Sequence, residues 1–240
     1  MQQDRREFLR RHLVDGVGLT ASNAADLVDV LERDAARAVR PTPFSSPGLF
    51  PSYKNMAAIE SESRTGELPY DRLLEHDDDV LAYAHQPDFP VKGRYLSATG
   101  RIVPVTATLD RLVIRQKRVV LVEVKTEEAL AELANERPGF VVRDAGAGRW
   151  RNPSFEAYLA PFGIEFEYVT ATSYSATRIR NIETLGAAFR APLPAPLIVM
   201  AAREKVRGRP GLRLGELVSD SVSLGQVLVL VAAGIVYIDL

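Results

Sequence analysis

The sequence predicts a protein of the α/β class, in which helices are mixed with a central sheet. Short apolar stretches of strand length occur near 110–115 and 119–125 and again in IEFEYVTA, which begins at Ile164. Stretches with helical periodicity lie between and around them. The chain has 240 residues, of which 46% are hydrophobic and 25% charged. This is enough for one medium domain and a smaller one.

The first 40 or so residues are expected to be helical. The stretch SNAADLVDVLERDAARAV opens with a Ser or Asn cap and carries apolar Leu27, Val30 and Leu31 on one side. The next stretch, RPTPFSSPGLFPSYKN, is rich in Pro, Ser and Gly and predicts an extended connector. Residues 1–50 therefore form an amino-terminal helical segment and connector in this prediction.

The middle of the chain, residues 51–174, is expected to form the main domain. Its order is a helix around YDRLLEH, the two strands near 110–115 and 119–125, a helix from Thr126 to Asn135, a turn at DAGAGRW, a helix at PSFEAYLAPF and the strand IEFEYVTA. Strands and helices in this order predict one sheet with helices packed on it.

Residues 175–240 are expected to form a basic linker and a small carboxyl-terminal module. The Pro-rich APLPAPL precedes a predicted helix, Leu224 to Ala233, and a predicted strand, Ile235 to Asp239. The tail from Leu212 onward is compatible with a winged-helix-like module of two short helices and a strand.

Composition excludes several classes of protein. There is no cysteine, so a disulfide framework, a thiolate zinc site and a cysteine nucleophile are all excluded. The three histidines have no metal-ligand spacing, which argues against a zinc nuclease. The charged amino terminus does not resemble a secretory signal, and the apolar run QVLVLVAAGIVYI is too short for a membrane span. We expect a cytoplasmic protein without a membrane partner.

The net charge of -1 conceals two oppositely charged segments. Between Glu60 and Pro90, nine acidic residues stand against two arginines, a net of -7. Between Ala176 and Gly215, eight basic residues stand against two glutamates, a net of +6. The first segment resembles a cation site and the second a polyanion site, although each is also compatible with a solvated face.

The stretch TATLDRLVIRQKRVVLVEVK places charges at the ends of two apolar strands. If the hairpin turns about Gln116 and Lys117, the numbers of facing residues sum to 233, and Asp110 lies opposite Glu123. Glu123 and Lys125 share one strand face because side chains alternate. Two facing carboxylates repel each other, and Mg²⁺ held by both would reverse that cost.

A simpler interpretation of the same residues stays open. Asp110 is then a polar residue at a strand end, and Glu123 and Lys125 form a surface ion pair. The register is also uncertain at this point, because Gln-Lys is a poor type I′ turn and a shift of one residue moves Asp110 to the other side.

The Asp…Glu-x-Lys arrangement of Asp110, Glu123 and Lys125 resembles the metal site of the PD-(D/E)xK nuclease superfamily, with Leu109 where Pro is frequent. Upstream, ESRTGELPYDRLLEHDDDVLAYAHQP resembles the amino-terminal domain of TnsA-like transposon-end endonucleases. Downstream, VEVKTEEALAEL, GRWRNP, YLAPFGIEFEYVTA and IRNIETL resemble the same family in the same order. The resemblance covers roughly residues 50 to 190. It implies a restriction-endonuclease-like fold, with a mixed central sheet flanked by helices.

The resemblance implies a catalytic site of Glu67, Asp110, Glu123 and Lys125. Glu67 is preferred because it stands eight residues before the Glu of LLE, and a helix starting near Leu68 tolerates Pro69 in its first turn. Glu62 stays open as the alternative helix carboxylate.

The implied reaction is metal-dependent hydrolysis of a DNA phosphodiester at the 5′ side of transposon ends. Asp110 and Glu123 are expected to hold Mg²⁺, for which Mn²⁺ can substitute, with Glu67 completing the set directly or through water. Lys125 is expected to orient the attacking water and to offset charge on the phosphate. The expected partners are double-stranded DNA, a transposase catalytic subunit and an ATPase regulator.

Eight basic residues are candidate DNA contacts. Arg149 and Arg151 flank Trp150, which either stacks on DNA or packs in the fold. The other six lie in the basic segment: Arg178, Arg180, Arg203, Lys205, Arg207 and Arg209.

Two alternative functions stay open for the same fold. One is a PD-(D/E)xK nuclease of defence or DNA repair. The other is a DNA-bound adaptor of the transposition complex that has lost metal chemistry. Retention of all four predicted catalytic residues argues for an enzyme.

Overall fold

The computed structural model describes residues 3–33, 35–36, 48–55, 57–61, 66–97, 99–219 and 222–237. Glu62 and half of the predicted connector lie outside these residues. The chain divides into two compact units, Met1–Tyr174 and Ser175–Leu240. The second unit begins at the residue where we placed the start of the carboxyl-terminal region.

The described residues of the first unit form helices and short strands. The helices are α1 (Gln3–Arg11), α2 (Ala21–Glu32), α3 (Glu67–Glu75), α4 (Glu127–Glu136) and α5 (Pro153–Leu159), with a π-helical turn at His12–Val17. The strands are β1 (Gly48–Ser52), β2 (Ala57–Ser61), β3 (Val80–His85), β4 (Val91–Leu96), β5 (Ile102–Ala107), β6 (Arg111–Arg115), β7 (Val119–Val124), β8 (Val142–Arg143), β9 (Trp150–Arg151) and β10 (Ile164–Val169).

The central sheet has the strand order β10-β7-β6-β3. Strands β10 and β7 are parallel, whereas β7, β6 and β3 are antiparallel neighbours, so the sheet is mixed. Strand pairs β1-β2, β4-β5 and β8-β9 form separate antiparallel hairpins. The predicted α/β class, with a mixed sheet and flanking helices, is confirmed.

Alternation along β6 and β7 gives the sheet a core on each face. Leu112, Ile114 and Leu121 belong to the larger core, and Val113 and Val120 belong to the smaller one. All of these residues are fully buried. Successive side chains of a strand point to opposite faces, so a strand covered on both faces reads as a continuous apolar run.

The amino-terminal helices belong to the larger core of the first unit. Leu9 and Leu13 from the first helical stretch and Leu27 from α2 are buried there. The cap of α2 is Thr20, whose hydroxyl accepts a hydrogen bond from the Asn23 amide at 3.2 Å, and not the predicted Ser or Asn. Part of the predicted connector is also ordered as β1.

The second unit is helical over its described residues. It contains α6 (Ala176–Leu185), α7 (Pro196–Gly208), α8 (Leu214–Leu217) and α9 (Leu224–Ala232). The segment predicted to be a linker thus contains two helices of ten or more residues. A small core of its own holds the unit together, with Ala202, Leu217, Val227 and Leu230 buried.

The predicted strand at Ile235 to Asp239 is wrong for its described part. Residues 235–237 are not in a strand, and the rest lies outside the described residues. Gly234 follows α9 with φ of 66°, and Val236 turns back to donate its amide to Leu230 O at 3.2 Å. The apolar side chain of Val236 is buried by this turn and not by strand pairing. No helix among the described residues is both long and apolar enough to cross a membrane.

Candidate active site at the end of the central hairpin

The hairpin of β6 and β7 has the predicted register. The ladder pairs Arg111 with Val122 and Ile114 with Val119, so the numbers of facing residues sum to 233. The turn is closed by the Arg115 amide, which donates to Arg118 O at 2.9 Å. The charged ends of both strands therefore meet at the same end of the sheet.

The ladder ends before Asp110. The Asp110 amide donates to Val122 O at 2.9 Å, although the ladder already pairs Val122 with Arg111. Two residues of one strand thus oppose one residue of the other, which is a β-bulge. A bulge interrupts alternation and redirects a side chain. The predicted facing pair of Asp110 and Glu123 is therefore not formed.

The burial of Leu109 agrees with this bulge. Leu109 is buried in the same core as Leu112 and Ile114. Strict alternation would place an odd-numbered residue of this strand on the other face. An extra residue between Leu109 and Leu112 restores Leu109 to the larger core.

Asp110 nevertheless contacts the peptide group that joins Glu123 and Val124. Asp110 Oδ2 accepts a hydrogen bond from the Val124 amide at 2.7 Å, and this amide nitrogen is bonded to the carbonyl carbon of Glu123. Glu123 Oε1 lies 2.7 Å from Lys125 Nζ, and both side chains are partly exposed. At this strand end the Asp110 carboxylate is thus bonded to the backbone, and Glu123 is paired with Lys125.

Glu67 reaches the same region from the first residue of α3. It is only 7% exposed, and its Oε2 accepts from Arg111 Nη2 at 3.1 Å. Glu67 and Lys125 both line a cleft of about 440 Å³, which we call the Lys125 cleft. Its other lining residues are Gly66, Val124, Thr126, Glu127, Glu128, Ala171 and Thr172. Asp110 and Glu123 are not among them.

Arg111 is a central residue of the site that we did not predict. Its side chain is fully buried and makes two bonds to the Asp71 carboxylate, of 2.6 and 2.7 Å. Its Nη1 donates to Asp110 O at 2.7 Å and to His85 Nδ1 at 2.6 Å. A guanidinium has no acceptor, so His85 Nδ1 accepts and carries no proton.

The charge of Arg111 is held by the surrounding carboxylates. Burial lowers the pKa of Arg111, but Asp71 and Glu67 more than offset this, and the pKa is raised. An arginine inside the apolar strand RLVIR was the sequence signal for this network, because a buried charge needs a partner. Arg111 connects α3, which carries Glu67, to the backbone of Asp110.

Several described carboxylates of the acidic segment from Glu60 to Pro90 are engaged in contacts within the protein. Arg115 Nη1 lies 2.8 Å from Asp77 and 3.1 Å from Asp79. The buried Glu75 accepts hydrogen bonds from Ser52 Oγ at 2.8 Å and from Tyr83 Oη at 3.0 Å. For these residues, internal bonds replace the cation site that the charge count suggested.

Glu127 is a second residue that we did not predict. It is the first residue of α4 and lines the Lys125 cleft. Its carboxylate accepts hydrogen bonds from Trp150 Nε1 at 2.7 Å, Thr172 Oγ1 at 2.8 Å and Thr170 Oγ1 at 3.0 Å. These bonds, that of Trp150 first, lower the pKa of Glu127. Trp150 packs against the larger core, and its bond to Glu127 fixes one wall of the Lys125 cleft.

The candidate DNA contacts differ in their surroundings. Arg151 is bonded to Glu156 at 3.0 Å through its Nε, and Arg209 lies 3.0 Å from Glu216. Arg149 is exposed. The remaining candidates of the basic segment are exposed on α6 and α7: Arg178, Arg180, Arg203, Lys205 and Arg207.

No three His, Asp or Glu side chains in the described parts of the chain are grouped closely enough to hold a metal ion together. In comparisons with known proteins, no family model matches the sequence and no curated protein matches it. The case for a function therefore depends on the local geometry of these residues.

Proposed function

We propose that this protein is a metal-dependent DNA endonuclease with a restriction-endonuclease-like domain, acting as one subunit of a heteromeric transposase. In this proposal it hydrolyses a phosphodiester at the 5′ side of transposon ends. The observation that carries the proposal is the meeting of Glu67 and Lys125 in one cleft, beside the Glu123-Val124 peptide group that Asp110 contacts. The mixed sheet of β3, β6, β7 and β10 with α3 and α4 beside it is compatible with the proposed fold.

The donor atoms suit Mg²⁺. Mg²⁺ prefers oxygen ligands and commonly binds one or two carboxylates, with waters and phosphate oxygens completing its shell. Two carboxylates, Asp110 and Glu123, are therefore sufficient, and Glu67 would act through water. Each carboxylate has about four lone-pair sites, so the bond from the Val124 amide to Asp110 and the contact of Glu123 with Lys125 occupy only part of that capacity. When bound, the ion would polarise the phosphate and promote ionisation of a water.

The other roles belong to the chain itself. Lys125 is part of the cleft lining and carries a positive charge that offsets charge on the scissile phosphate. Arg111 holds Glu67 at the start of α3 and thereby fixes its distance from the strand ends. The exposed bases of α6 and α7 would contact DNA phosphates, in a module that we propose to be winged-helix-like.

An inactive DNA-bound adaptor is the second candidate. It is favoured by the bonds that already engage the site: Glu67 is bonded to Arg111 and Glu123 to Lys125. In such an adaptor these ion pairs would stabilise the fold without binding a cation.

Cleavage of transposon-end DNA distinguishes the two candidates. The assay contains the full chain, a transposase catalytic subunit and an ATPase regulator of the kind that the proposal implies, transposon-end DNA, and Mg²⁺ or Mn²⁺. We expect Asp110→Ala and Glu123→Ala to abolish cleavage at the 5′ side, because each removes a carboxylate ligand. Lys125→Ala should lose cleavage and retain Mn²⁺ binding, since an ammonium group does not ligate a cation.

The control variant is Glu132→Gln, which removes one exposed carboxylate from α4, outside the proposed site. This variant should cleave DNA normally. No cleavage by the unmodified chain in the complete system would favour the adaptor. Full cleavage by Asp110→Ala would exclude the proposed roles of these residues.

A further inference from the structure

The hairpin of β4 and β5 continues the pairing of β3 with β6 beyond the central sheet. The β3-β6 ladder ends at His85 and Arg111, whose numbers sum to 196. Gln86 keeps this register, since its amide donates to Asp110 O at 2.8 Å. In the β4-β5 ladder, the numbers of facing residues sum to 198. The strands of the hairpin therefore follow directly on β3 and β6 and leave the sheet at the end that carries Asp110.

One face of this hairpin is exposed, and we call it the open face. Side chains alternate along a strand, so the even-numbered residues of β4 and β5 share a face. Three facing pairs on it are exposed: Lys92 with Thr106, Arg94 with Pro104 and Leu96 with Ile102. The opposite face packs on α5, where a Cβ added to Gly93 would lie 2.8 Å from the ring of Phe155. The hairpin is thus packed on one side only.

The open side of the hairpin is positively charged. Between Val91 and Ala107 the sequence has no acidic residue and three bases, which are Lys92, Arg94 and Arg101. All three are exposed, and within the described parts of the chain their side chains make no hydrogen bond or ion pair. By contrast, Arg115 and Arg118 each contact two carboxylates. Charges of one sign without internal partners attract a ligand of the opposite sign.

We propose that the open face of the β4-β5 hairpin binds duplex DNA next to the site of cleavage. This inference deepens the proposed function and rests on it for the identity of the ligand. Lys92, Arg94 and Arg101 would contact phosphate groups, which hold a duplex in place without reading its sequence. Leu96 and Ile102 would enter a groove. The major groove of B-DNA, about 12 Å wide, admits a two-stranded ribbon of this kind.

The length of the hairpin suits this role. Ile102 lies eight residues before Asp110 in the sequence, which corresponds to at most about 27 Å of extended strand. A duplex rises about 3.4 Å for each base pair, so the hairpin reaches along about eight base pairs. DNA held at the Lys125 cleft would therefore have its flanking segment within reach of the open face.

A membrane surface is a poorer match for the open face, although it also attracts basic and apolar side chains. Membrane affinity increases with the apolar area that is buried. Among the described residues of the hairpin, Leu96 and Ile102 are the only large apolar side chains that are exposed. Vesicle binding is therefore a result that would count against the proposal.

The first test measures binding of the full chain to a fluorescent DNA duplex of about 20 base pairs, which is longer than the hairpin. EDTA is present, so neither metal binding nor cleavage contributes. Changing Lys92, Arg94 and Arg101 to Gln should weaken binding at least about tenfold. It should also lower the slope of log affinity against log salt by about 0.9 for each phosphate contact that is lost.

Two further variants separate the hairpin from net charge. Changing Arg11, Arg33 and Lys117 to Gln removes the same charge from exposed positions outside the hairpin and should leave affinity and slope nearly unchanged. Leu96→Ser combined with Ile102→Ser should weaken binding severalfold and leave the slope unchanged, because this variant loses apolar contact and no charge.

The absence of cysteine allows the contact to be mapped. Thr106→Cys places a single thiol on the open face, and Lys117→Cys places one in the turn at the opposite end of β6. Each thiol is labelled with a photoactivated crosslinker and mixed with the duplex. We expect Thr106→Cys to crosslink to DNA and Lys117→Cys not to do so.

Three results would overturn the inference. One is equal affinity and slope for the hairpin variant and its charge-matched control, and another is equal crosslinking from both cysteines. The third is a hairpin variant that binds DNA normally and no longer binds vesicles of phosphatidylcholine and phosphatidylserine, which would assign the open face to a membrane.

Failure of this inference is distinguishable from failure of the proposed function. A chain that binds DNA through the hairpin and does not cleave it in the complete system would contradict the nuclease and leave the hairpin contact intact. Cleavage by the unmodified chain, together with normal DNA binding by the hairpin variant, would contradict the hairpin contact alone.

Discussion

A single carboxylate, that of Glu127, receives hydrogen bonds from an indole and two hydroxyl groups. These bonds favour the charged form, so the pKa of Glu127 lies below its ordinary value of about 4.3. Their contribution to stability is fully present above the pKa of the unfolded chain. It is lost as pH falls through the lower pKa of the folded protein.

Trp150→Phe should therefore raise the pKa of Glu127, because it removes the indole donor and retains an aromatic ring. The pKa is measured by NMR titration of carbon-labelled side chains. Asp144 is an internal control, since backbone amides of Ala147 and Gly146 lower its pKa and are not changed. An unchanged pKa of Glu127 in the Trp150→Phe variant would show that the indole hydrogen bond does not lower this pKa.

The sequence indicated part of the site and missed the rest for identifiable reasons. The register of β6 and β7 was predictable because both strands are short, apolar and joined by a tight turn. The bulge at Asp110 was not predictable. It forms where the pairing of β6 with β7 ends, and the residues Leu-Asp-Arg carry no sequence signal for it. Arg111 was overlooked because its partners, Asp71 and His85, lie on separate elements that only the fold brings together.

At the scale of one element, the proposed function predicts that α7 contacts DNA. Arg203, Lys205 and Arg207 are exposed on it. Changing all three to Gln should reduce the slope of log affinity against log salt by about 0.9 for each phosphate that these side chains neutralise. Binding to duplex DNA at several salt concentrations measures this slope.

A matched control removes the same charge from the first unit, outside the β4-β5 hairpin. Arg11, Arg33 and Lys117 are exposed there, and their change to Gln should leave the slope nearly unchanged. If both triple variants lower the slope equally, binding responds to net charge alone and α7 has no special part in it.

Helices and strands were predictable where the hydrophobic periodicity of the sequence is strong. They were not predictable where contacts with distant parts of the chain decide the structure. The helices α4, α5 and α9 and the strands β6, β7 and β10 occur near their predicted positions. Strand β1 was hidden in a stretch rich in Pro and Ser, and Glu75 anchors its end by accepting the Tyr53 amide at 2.8 Å. The apolar tail after α9 resembled a strand, but its residues Ile235 and Val236 pack within the second unit.

At the scale of the molecule, each unit has its own hydrophobic core. The two cores of the first unit contain only residues before 175. The core of the second unit contains only residues after 175. A chain of residues 1–174 should therefore fold, with a melting temperature changed by less than about 4 °C relative to the first transition of the full chain. Circular dichroism shows whether the 1–174 chain is folded, and calorimetry measures its melting temperature.

The matching control ends at residue 163 and lacks β10. It should not fold cooperatively, because β7 then loses its parallel partner and the buried Ile164 and Phe166 are absent from the larger core. Unfolded material from the 1–174 chain would show that the first unit depends on the second.

The place of α1 and α2 in the larger core affects the order of events during synthesis. Leu9 and Leu27 are buried with Ile164 and Phe166, which the ribosome adds more than 130 positions later. At roughly 10 residues per second, the first helices wait on the order of 10 s for their final neighbours. Meanwhile their apolar sides are exposed to chaperones and to other nascent chains. The helices translated first are thus among the last parts of this unit to be buried.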